Sequence, residues 1–453
     1  MNKHIALILA AGKGTRMKSI KPKVLHEICG KSIFQHVIDH CRDAGITEVY
    51  GIVGYKHEDI KEHIGNGIGY VIQEEQLGTA HAVMQASNLL ENNMQSDVII
   101  LMGDAPLITH ETIKNMIEHH QKNNYSATVL TANAQEPRGY GRIIRDPIGN
   151  FTKIVEQKDA TDSQLMVKEI NSGVYCFKVE DLLFTLSKIS NDNAQGEYYL
   201  TDAIQIMTES SLSVGTYEVL EEDIKAVNSK WELSQVERIM QHRINKKLMD
   251  EGVTFIHPET SYVHKDVVIG QDTVIYPNSM IKGKTTIGSN CVIGLNCRIE
   301  NCTIGDNVEI QSSVLIESEV KSDAHIGPFA YIRPNCSIGQ RAKIGDFVEV
   351  KNATIGDDSK ASHLTYIGDA HVGARVNLGC GVVFVNYDGQ KKHIAVVEDD
   401  CFVGCNTNLI SPVTIKKGAY IAAGSTITDD IPPNSLAIAR SRQVIKENYN
   451  NKK

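Results

Sequence analysis

Residues 269–299 read IGQDTVIYPNSMIKGKTTIGSNCVIGLNCRI, with isoleucine at 269, 275, 281, 287, 293 and 299. A strict apolar beat of six is neither a helical nor a hairpin signal. It is the pattern of a parallel β-helix built from hexapeptides. Three hexapeptides make one turn of a prism, and the aliphatic side chains stack inward along its axis. Downstream the beat slips by one residue and resumes at Ile304, Ile310 and Ile316. Val320, Ile326, Ile332, Ile338, Ile344 and Val350 carry it on, and Val397, Val403, Leu409, Ile415, Ile421 and Ile427 finish it. Between about 379 and 396, GCGVVFVNYDGQKKHIAV breaks the pattern, and solenoids carry such insertions as loops on one face. Residues 253–453 are therefore predicted to form a β-helix with a C-terminal tail.

Upstream the pattern changes. Residues 229–252 read as one helix: Ser229 and Glu232 have capping-box spacing, Leu233, Val236, Met240 and Ile244 keep one face apolar, and Gly252 stops it. Such a helix spans roughly 30 Å, enough to link two domains. Residues 1–228 alternate β-rich runs (HIALILA, EVYGIVG, DVIILMGD, SATVLTA) with helical ones (FQHVIDHCRDAG, HETIKNMIEHHQKN). That alternation predicts an α/β domain, a mostly parallel sheet covered by helices, with ligands at the carboxyl ends of its strands.

The 453 residues carry a net charge of −9 and are 42% apolar, which bounds an ordinary globular protein and argues against nucleic acid as a partner. No run of 18 apolar residues occurs and MNKHIALILAAGKG is too short for a signal peptide, so neither membrane insertion nor export is expected. Ten cysteines without a C-x-x-C pair predict reduced thiols in a cytoplasmic protein, and no zinc.

The first strand runs into LILAAGKGTRMKSIKPKVL, residues 7–25, which lacks Walker A spacing and has Met17 where a dinucleotide fingerprint needs its third glycine. A glycine turn before a helix, with Lys13, Arg16, Lys18, Lys21 and Lys23 around it, suits a triphosphate; a tight turn with a solvated basic face is the alternative. Asp104 ends DVIILMGD, as a metal ligand or a turn residue. In KASHLTYIG, Ala361 takes an inward beat position, so His363 projects outward, as a base or a solvated histidine. Arg333, Lys351, His363 and Tyr366 recur at roughly one coil, so they are expected to stack on one region of the prism.

GKGTRM with KPKVL, QLGTAHAV, GDAPLI, GYGRI, EQKDA, EINSGVY, NAQGEYYLTD, ASHLTYIGDAHVG and NYDG together resemble one family along the whole chain. It is the family of bifunctional N-acetylglucosamine-1-phosphate uridyltransferases and glucosamine-1-phosphate N-acetyltransferases. The resemblance implies a Rossmann-like nucleotidyltransferase domain at 1–228, a helical linker at 229–252 and a left-handed parallel β-helix from 253. In the first domain it implies that Leu9, Ala10, Ala11 and Gly12 hold UTP, with Gln73, Gly78 and Thr79 reading the base. An amide suits uracil because it donates and accepts at once. Arg16 and Lys23 resemble the cations that neutralise phosphate charge, and Asp104 and Asn228 the Mg²⁺ ligands. Gly141, Glu156 and Asn171 resemble the residues that hold N-acetylglucosamine 1-phosphate.

In the second domain His363 resembles the general base that deprotonates glucosamine 1-phosphate for attack on acetyl-CoA. Arg333 and Lys351 resemble its phosphate ligands, and Tyr366 and Asn377 its sugar contacts. Asn386, Tyr387, Lys392, Ala423 and Arg440 resemble acetyl-CoA contacts, as do positions 380 and 405. Here those two are Cys380 and Cys405, where relatives usually have alanine and serine. Ile394 and Ala395 replace a usual lysine and threonine, which lowers the loop's expected basic contribution. The implied assembly is a homotrimer with acetyl sites between neighbouring prisms. One alternative, a single-activity pyrophosphorylase with a structural β-helix, would not need His363, Tyr366, Asn377 and NYDG together. The other, a non-catalytic subunit, would have lost the loop charges or Asp104.

Overall fold

The computed structural model describes residues 4–452. Its contacts divide the chain into two compact units, one ending at Met240 and the other beginning at Gln241.

In the first unit the four β-rich runs are the strands His4–Ala10, Glu48–Val53, Asp97–Met102 and Ala127–Asn133. The main sheet runs in the order Val214–Val219, Ala127–Asn133, Glu169–Lys178, Asp97–Met102, His4–Ala10, Glu48–Val53, Gly69–Ile72. Pairing along it is parallel except at Glu169–Lys178, which is antiparallel to both neighbours. The helices Ile33–Asp43 and His110–Lys122 start at Ser32 and Thr109, whose side chains accept the N–H of Gln35 and Thr112. Their apolar faces bury Val37, Cys41, Ile113 and Met116 in one core with Ile8 and Leu101 of the sheet. From His4–Ala10 the chain crosses to Glu48–Val53 on one side and later to Asp97–Met102 on the other. The topological switch therefore falls beside the carboxyl end of His4–Ala10.

The helix expected after the glycine loop is absent. Gly14 (φ +60°) leads into a single 3₁₀ turn, Thr15–Met17, which Lys18 ends in the left-handed region, and among the described residues no α-helix begins before Ile33. The loop thus lacks a helix dipole and relies on its side chains for positive charge.

The connecting helix is Lys230–Asp250. Ser229 Oγ accepts from Glu232 N at 3.2 Å, but the Glu232 carboxylate reaches back to Asn228 N (2.7 Å) and not to Ser229. The box is opened by one residue, which fixes Asn228. The division between the units falls within this helix. Val236 and Met240 are buried, Leu248 joins the β-helix core, and Gly252 (φ +99°) ends the element.

The second unit is a left-handed β-helix whose parallel strands form an eleven-stranded and a seventeen-stranded sheet. One face stacks Ile275, Ile293, Ile310, Ile326, Ile344, Ala361, Leu378, Val403 and Ile421 inward in register. Corner residues take positive φ, and Asn290, Asn296, Asn301 and Asn307 serve there because asparagine tolerates that region. The coil shortens from 18 residues (Ile275 to Ile293) to 17 (Ile293 to Ile310) and 16 (Ile310 to Ile326). Each deletion moves the beat by one. Leu315 therefore points inward, paired with Ile299 and Ile332, and Ile316, the residue expected there, stands half-exposed beside Glu300.

The break is also narrower than the 379–396 expected, because Val382 and Phe384 stay fully buried in the prism. Only residues 386–394 leave the prism, between the strands Val383–Val385 and Ala395–Val397. They form a hairpin in which Tyr387 bridges Lys392 and Asp388 accepts the N–H groups of Gln390 and Lys391, both at 2.7 Å. Ala395 is fully buried, in register with Ala370 and Val413, so it is a core position and contributes nothing to the loop's charge. Among the described residues, no helix is long and apolar enough to cross a membrane.

Candidate active sites

A cavity of about 250 Å³ opens at the topological switch of the first unit. Leu9, Ala10, Ala11, Gly12, Lys23, Gln73, Gly78, Thr79 and Asp104 all line it, together with Gln76, Met102 and Glu197, which sequence reasoning did not single out. The Lys23 ammonium donates to Asp104 Oδ2 and to Asn228 Oδ1 (3.0 Å), so it brings together two residues far apart in the chain. A backbone bond from Val227 N to Asp104 O (2.9 Å) fastens the two segments. Gly14 has no substitute here, since a Cβ would lie 2.7 Å from Lys23 Cβ in a left-handed backbone. Asp104 Oδ1 is buried with no hydrogen-bond partner, an arrangement that costs free energy unless a cation or donor supplies one. Carboxylate and amide oxygens around one positive charge fit a hard cation such as Mg²⁺, and the Lys23 ammonium stands in for that charge.

Gln73 differs from expectation. It is buried, and its amide nitrogen lies against Gly78 O (3.2 Å) and His81 Nδ1 (3.0 Å). One amide proton goes to Gly78 O and the amide nitrogen faces His81, so the carbonyl oxygen is the group left to accept from a ligand. Thr79 Oγ1 accepts from Leu200 N at 3.0 Å. Arg16 lies exposed on the 3₁₀ turn, outside the cavity lining.

Gly141, Glu156 and Asn171 come together, outside the cavity's own lining. A Cβ at Gly141 would lie 3.5 Å from Glu156 Oε1 and 3.6 Å from Asn171 Cβ, and Asn171 N donates to Gly141 O. Asn171 Nδ2 donates to Tyr175 Oη (2.7 Å), and Glu156 Oε1 accepts from Thr201 Oγ1 (3.4 Å). Burial pushes the Glu156 carboxyl above the usual carboxylate range, and neighbouring Asp202 is pushed up to about 6 by burial and by Asp159.

On the β-helix the expected stack divides into two columns. Arg333 and Lys351 lie in register on successive coils, with Gly368 on the next. A Cβ at Gly368 would lie 2.4 Å from Tyr366 Oη and 2.8 Å from Asn386 Nδ2, so glycine opens the slot that both enter. Arg333 pairs with Glu349 (2.8 Å) and Lys351 with Asp369 (2.9 Å), while buried Asn386 donates to Asp369 (2.5 Å). The Lys392 pKa is lowered by the Lys351 ammonium beside it, which brings the hairpin's lysine to this cationic cluster. Tyr387 is mostly exposed and donates to Gly389 O (2.7 Å).

His363 does not join that column, because a corner at Leu364 (φ +47°) intervenes. It stacks instead on Asp346, whose Oδ1 lies 2.5 Å from His363 Nδ1. Continuing the same register upward brings Cys380, Cys405 and Ala423 onto this second column. Arg440 Cδ lies 3.8 Å from where a Gly424 Cβ would stand. Asn377 lies between Lys360 and Phe402, in a different sheet from Tyr366. Asp346 was missed by sequence reasoning, although it stands one coil before His363.

Residues 5–237 match the Nucleotidyl transferase family, and residues 266–301, 317–352 and 394–429 match Bacterial transferase hexapeptide (six repeats). A nucleotidyl-transferase domain with a hexapeptide prism behind it defines a two-domain transferase. A relative from Clostridium botulinum (strain Loch Maree / Type A3), named Bifunctional protein GlmU, is 53% identical over 451 residues, 99% of this chain and 98% of that protein. Relatives of the same name from Alkaliphilus metalliredigens (98% of this chain and 97% of that protein) and Clostridioides difficile (99% and 97%) are each 52% identical. The chain belongs to the bifunctional GlmU family.

Proposed function

We propose that this chain makes UDP-N-acetylglucosamine in two steps: N-acetylation of glucosamine 1-phosphate by acetyl-CoA, then uridylyl transfer from UTP with release of pyrophosphate. The observation that carries the reading is the presence in one chain of two constellations, Lys23 between Asp104 and Asn228, and His363 on Asp346.

In the first step Asp346 accepts the Nδ1 proton of His363, which leaves Nε2 as the basic nitrogen. Nε2 takes a proton from the substrate ammonium, and the free amine attacks the thioester carbonyl. Arg333 and Lys351 hold the phosphate, and Tyr366 and Asn377 contact the sugar. Acetyl-CoA runs along Cys380, Cys405, Ala423 and Arg440, with Asn386, Tyr387 and Lys392 contributing from the other side of the corner.

In the second step Gly141, Glu156 and Asn171 hold N-acetylglucosamine 1-phosphate while its phosphate oxygen attacks the α-phosphorus in line. The nucleophile is already an anion and needs no base, so positioning and charge neutralisation carry the catalysis. Leu9, Ala10, Ala11 and Gly12 hold the nucleotide, the Gln73 carbonyl accepts the uracil N3–H, and Gly78 and Thr79 flank the base. Lys23 and Arg16 neutralise phosphate charge. Mg²⁺, held by Asp104 and Asn228 when bound, supplies further neutralisation of the triphosphate.

The assembly we infer is a homotrimer. Phe329, Phe347 and Leu364, on successive coils one position beyond the Asp346–His363 column, are 57–58% exposed, which supports an apolar seam against a neighbouring chain. The ten free cysteines support a cytoplasmic enzyme, with neither nucleic acid nor a membrane among its partners.

A coupled assay with glucosamine 1-phosphate, acetyl-CoA, UTP and Mg²⁺ tests the reading by following free thiol and pyrophosphate separately. Both are expected, with no pyrophosphate when acetyl-CoA is omitted. Pyrophosphate from N-acetylglucosamine 1-phosphate with no thiol release would reduce the β-helix to a scaffold.

A further inference from the structure

We propose that Cys380 and Cys405 form a two-thiol modification site that hydroperoxides oxidise to a disulfide across adjacent coils. Asn377 pairs with Phe402 and Leu378 with Val403, so the parallel register continues to Cys380 opposite Cys405. Asn406 N donates to Cys380 O at 2.8 Å, which fastens the two coils at this point. Both cysteines lie in the turns just after these paired strands, where the coil spacing of about 4.8 Å carries over and falls inside the range that a disulfide spans.

Their chemistry sets them apart from the buried β-helix cysteines. Cys291 donates its thiol to Gly305 O (3.1 Å) and Cys401 to Lys416 O (3.2 Å), and both are sealed in the core. Cys405 is exposed, Cys380 is half-buried, and neither thiol has a hydrogen-bond partner among the described residues. A hydroperoxide reaches Cys405 first. The Cys405 thiolate attacks a peroxide oxygen, the O–O bond breaks, and the departing alkoxide or hydroxide takes a proton, leaving a sulfenic acid. The Cys380 thiolate then attacks that sulfur and expels its oxygen as water. One peroxide is reduced by two electrons, two thiols become one disulfide, and a dithiol reductant reverses the change. Side chains pointing out in parallel must tilt together to bond, so the disulfide is strained and readily reduced.

The consequence for activity rests on the acetyl-transfer reading. Cys380 is the next coil after His363 on its column, so tilting the two thiols together reshapes the surface along which the thioester lies.

The test treats the full-length protein with stoichiometric hydrogen peroxide and maps it by mass spectrometry without reduction. A linked Cys380–Cys405 peptide, two hydrogens lighter, is expected, with two fewer titratable thiols. Acetyl transfer should fall about tenfold or more and return with dithiothreitol, while uridylyl transfer stays within about twofold. Separate sulfinic acids or mixed disulfides without the linked peptide would overturn the proposal. So would a Cys380→Ala variant whose oxidised-to-reduced activity ratio equals that of the parent. A linked peptide with unchanged acetyl transfer would keep the disulfide and overturn the course assigned to acetyl-CoA.

Discussion

Lys23 donates to one oxygen each of Asp104 and Asn228, and in the second site Asp346 stands under His363. Both are contacts of a charged group with a partner distant in sequence. Motifs marked Lys23 and Asp104 in the first and His363 in the second, but the geometry was not visible. KPKVL marks Lys23 and GDAPLI marks Asp104, but no pattern links them to Asn228, whose place is set by Glu232 capping its N–H and by Val227 bonding Asp104 O. Gln73 was found for a reason that the fold changes, since its amide nitrogen is turned to Gly78 O and to His81, eight residues further on. The Asp346–His363 pair makes a definite prediction. Asp346→Asn presents an amide donor to Nδ1, which favours a proton on Nε2 and removes the base. Acetyl transfer should fall by roughly 10²–10⁴-fold, mainly in kcat, with uridylyl transfer unchanged. Separate steady-state assays of the two reactions check it, and an undiminished kcat for acetyl transfer would remove Asp346 from the site.

Elements were legible to the extent that their period was regular. Six isoleucines in register announce the prism, and alternation of strands and helices announces the parallel sheet. Glu169–Lys178 escaped because EINSGVY reads as a motif, and a strand inserted antiparallel between Asp97–Met102 and Ala127–Asn133 has no local signature of its partners. The β-helix slipped where coils lose a residue at a corner, because that deletion changes which of two neighbouring apolar residues faces the axis. Leu315 and Ile316 are a test of this rule within one strand. Leu315→Ala empties part of the core and should cost about 2–5 kcal/mol, whereas Ile316→Ala on the half-exposed face should cost under about 1 kcal/mol. Thermal unfolding of the two variants measures the difference, and equal shifts would show that the beat does not slip as described.

The two units have separate cores, so conditions that act on one need not act on the other. His120 of the first unit is buried, with Nδ1 on Thr128 (2.9 Å), an unpartnered Nε2, and Asp97 at 3.8 Å. Burial pulls its pKa down to about 4, against the ordinary 6.5, with Asp97 opposing the shift. Between those values the unfolded chain binds more protons, so stability is full above pH 6.5 and is lost as pH falls toward 4, by at most ~1.4 kcal/mol per unit. Calorimetry should show the first unit's transition falling across that window, and His120→Gln should flatten the slope. At the level of the assembly, the Phe329–Phe347–Leu364 ridge decides whether the inferred trimer forms. Phe329 and Phe347 stack with centroids 5.3 Å apart and interplanar angle 17°, a rigid apolar surface beside the His363 column. A charge placed at its middle would be desolvated unpaired in any seam that covers it. Phe347→Glu should therefore reduce the sedimenting species from three chains to one. In the proposed trimer, with acetyl sites between neighbouring prisms, acetyl transfer should fall with it. Uridylyl transfer should not change, because its cavity is lined entirely within one chain's first unit. A variant that remains trimeric would move the seam to another face of the prism, and one that becomes monomeric with full acetyl transfer would make the site complete within a single chain.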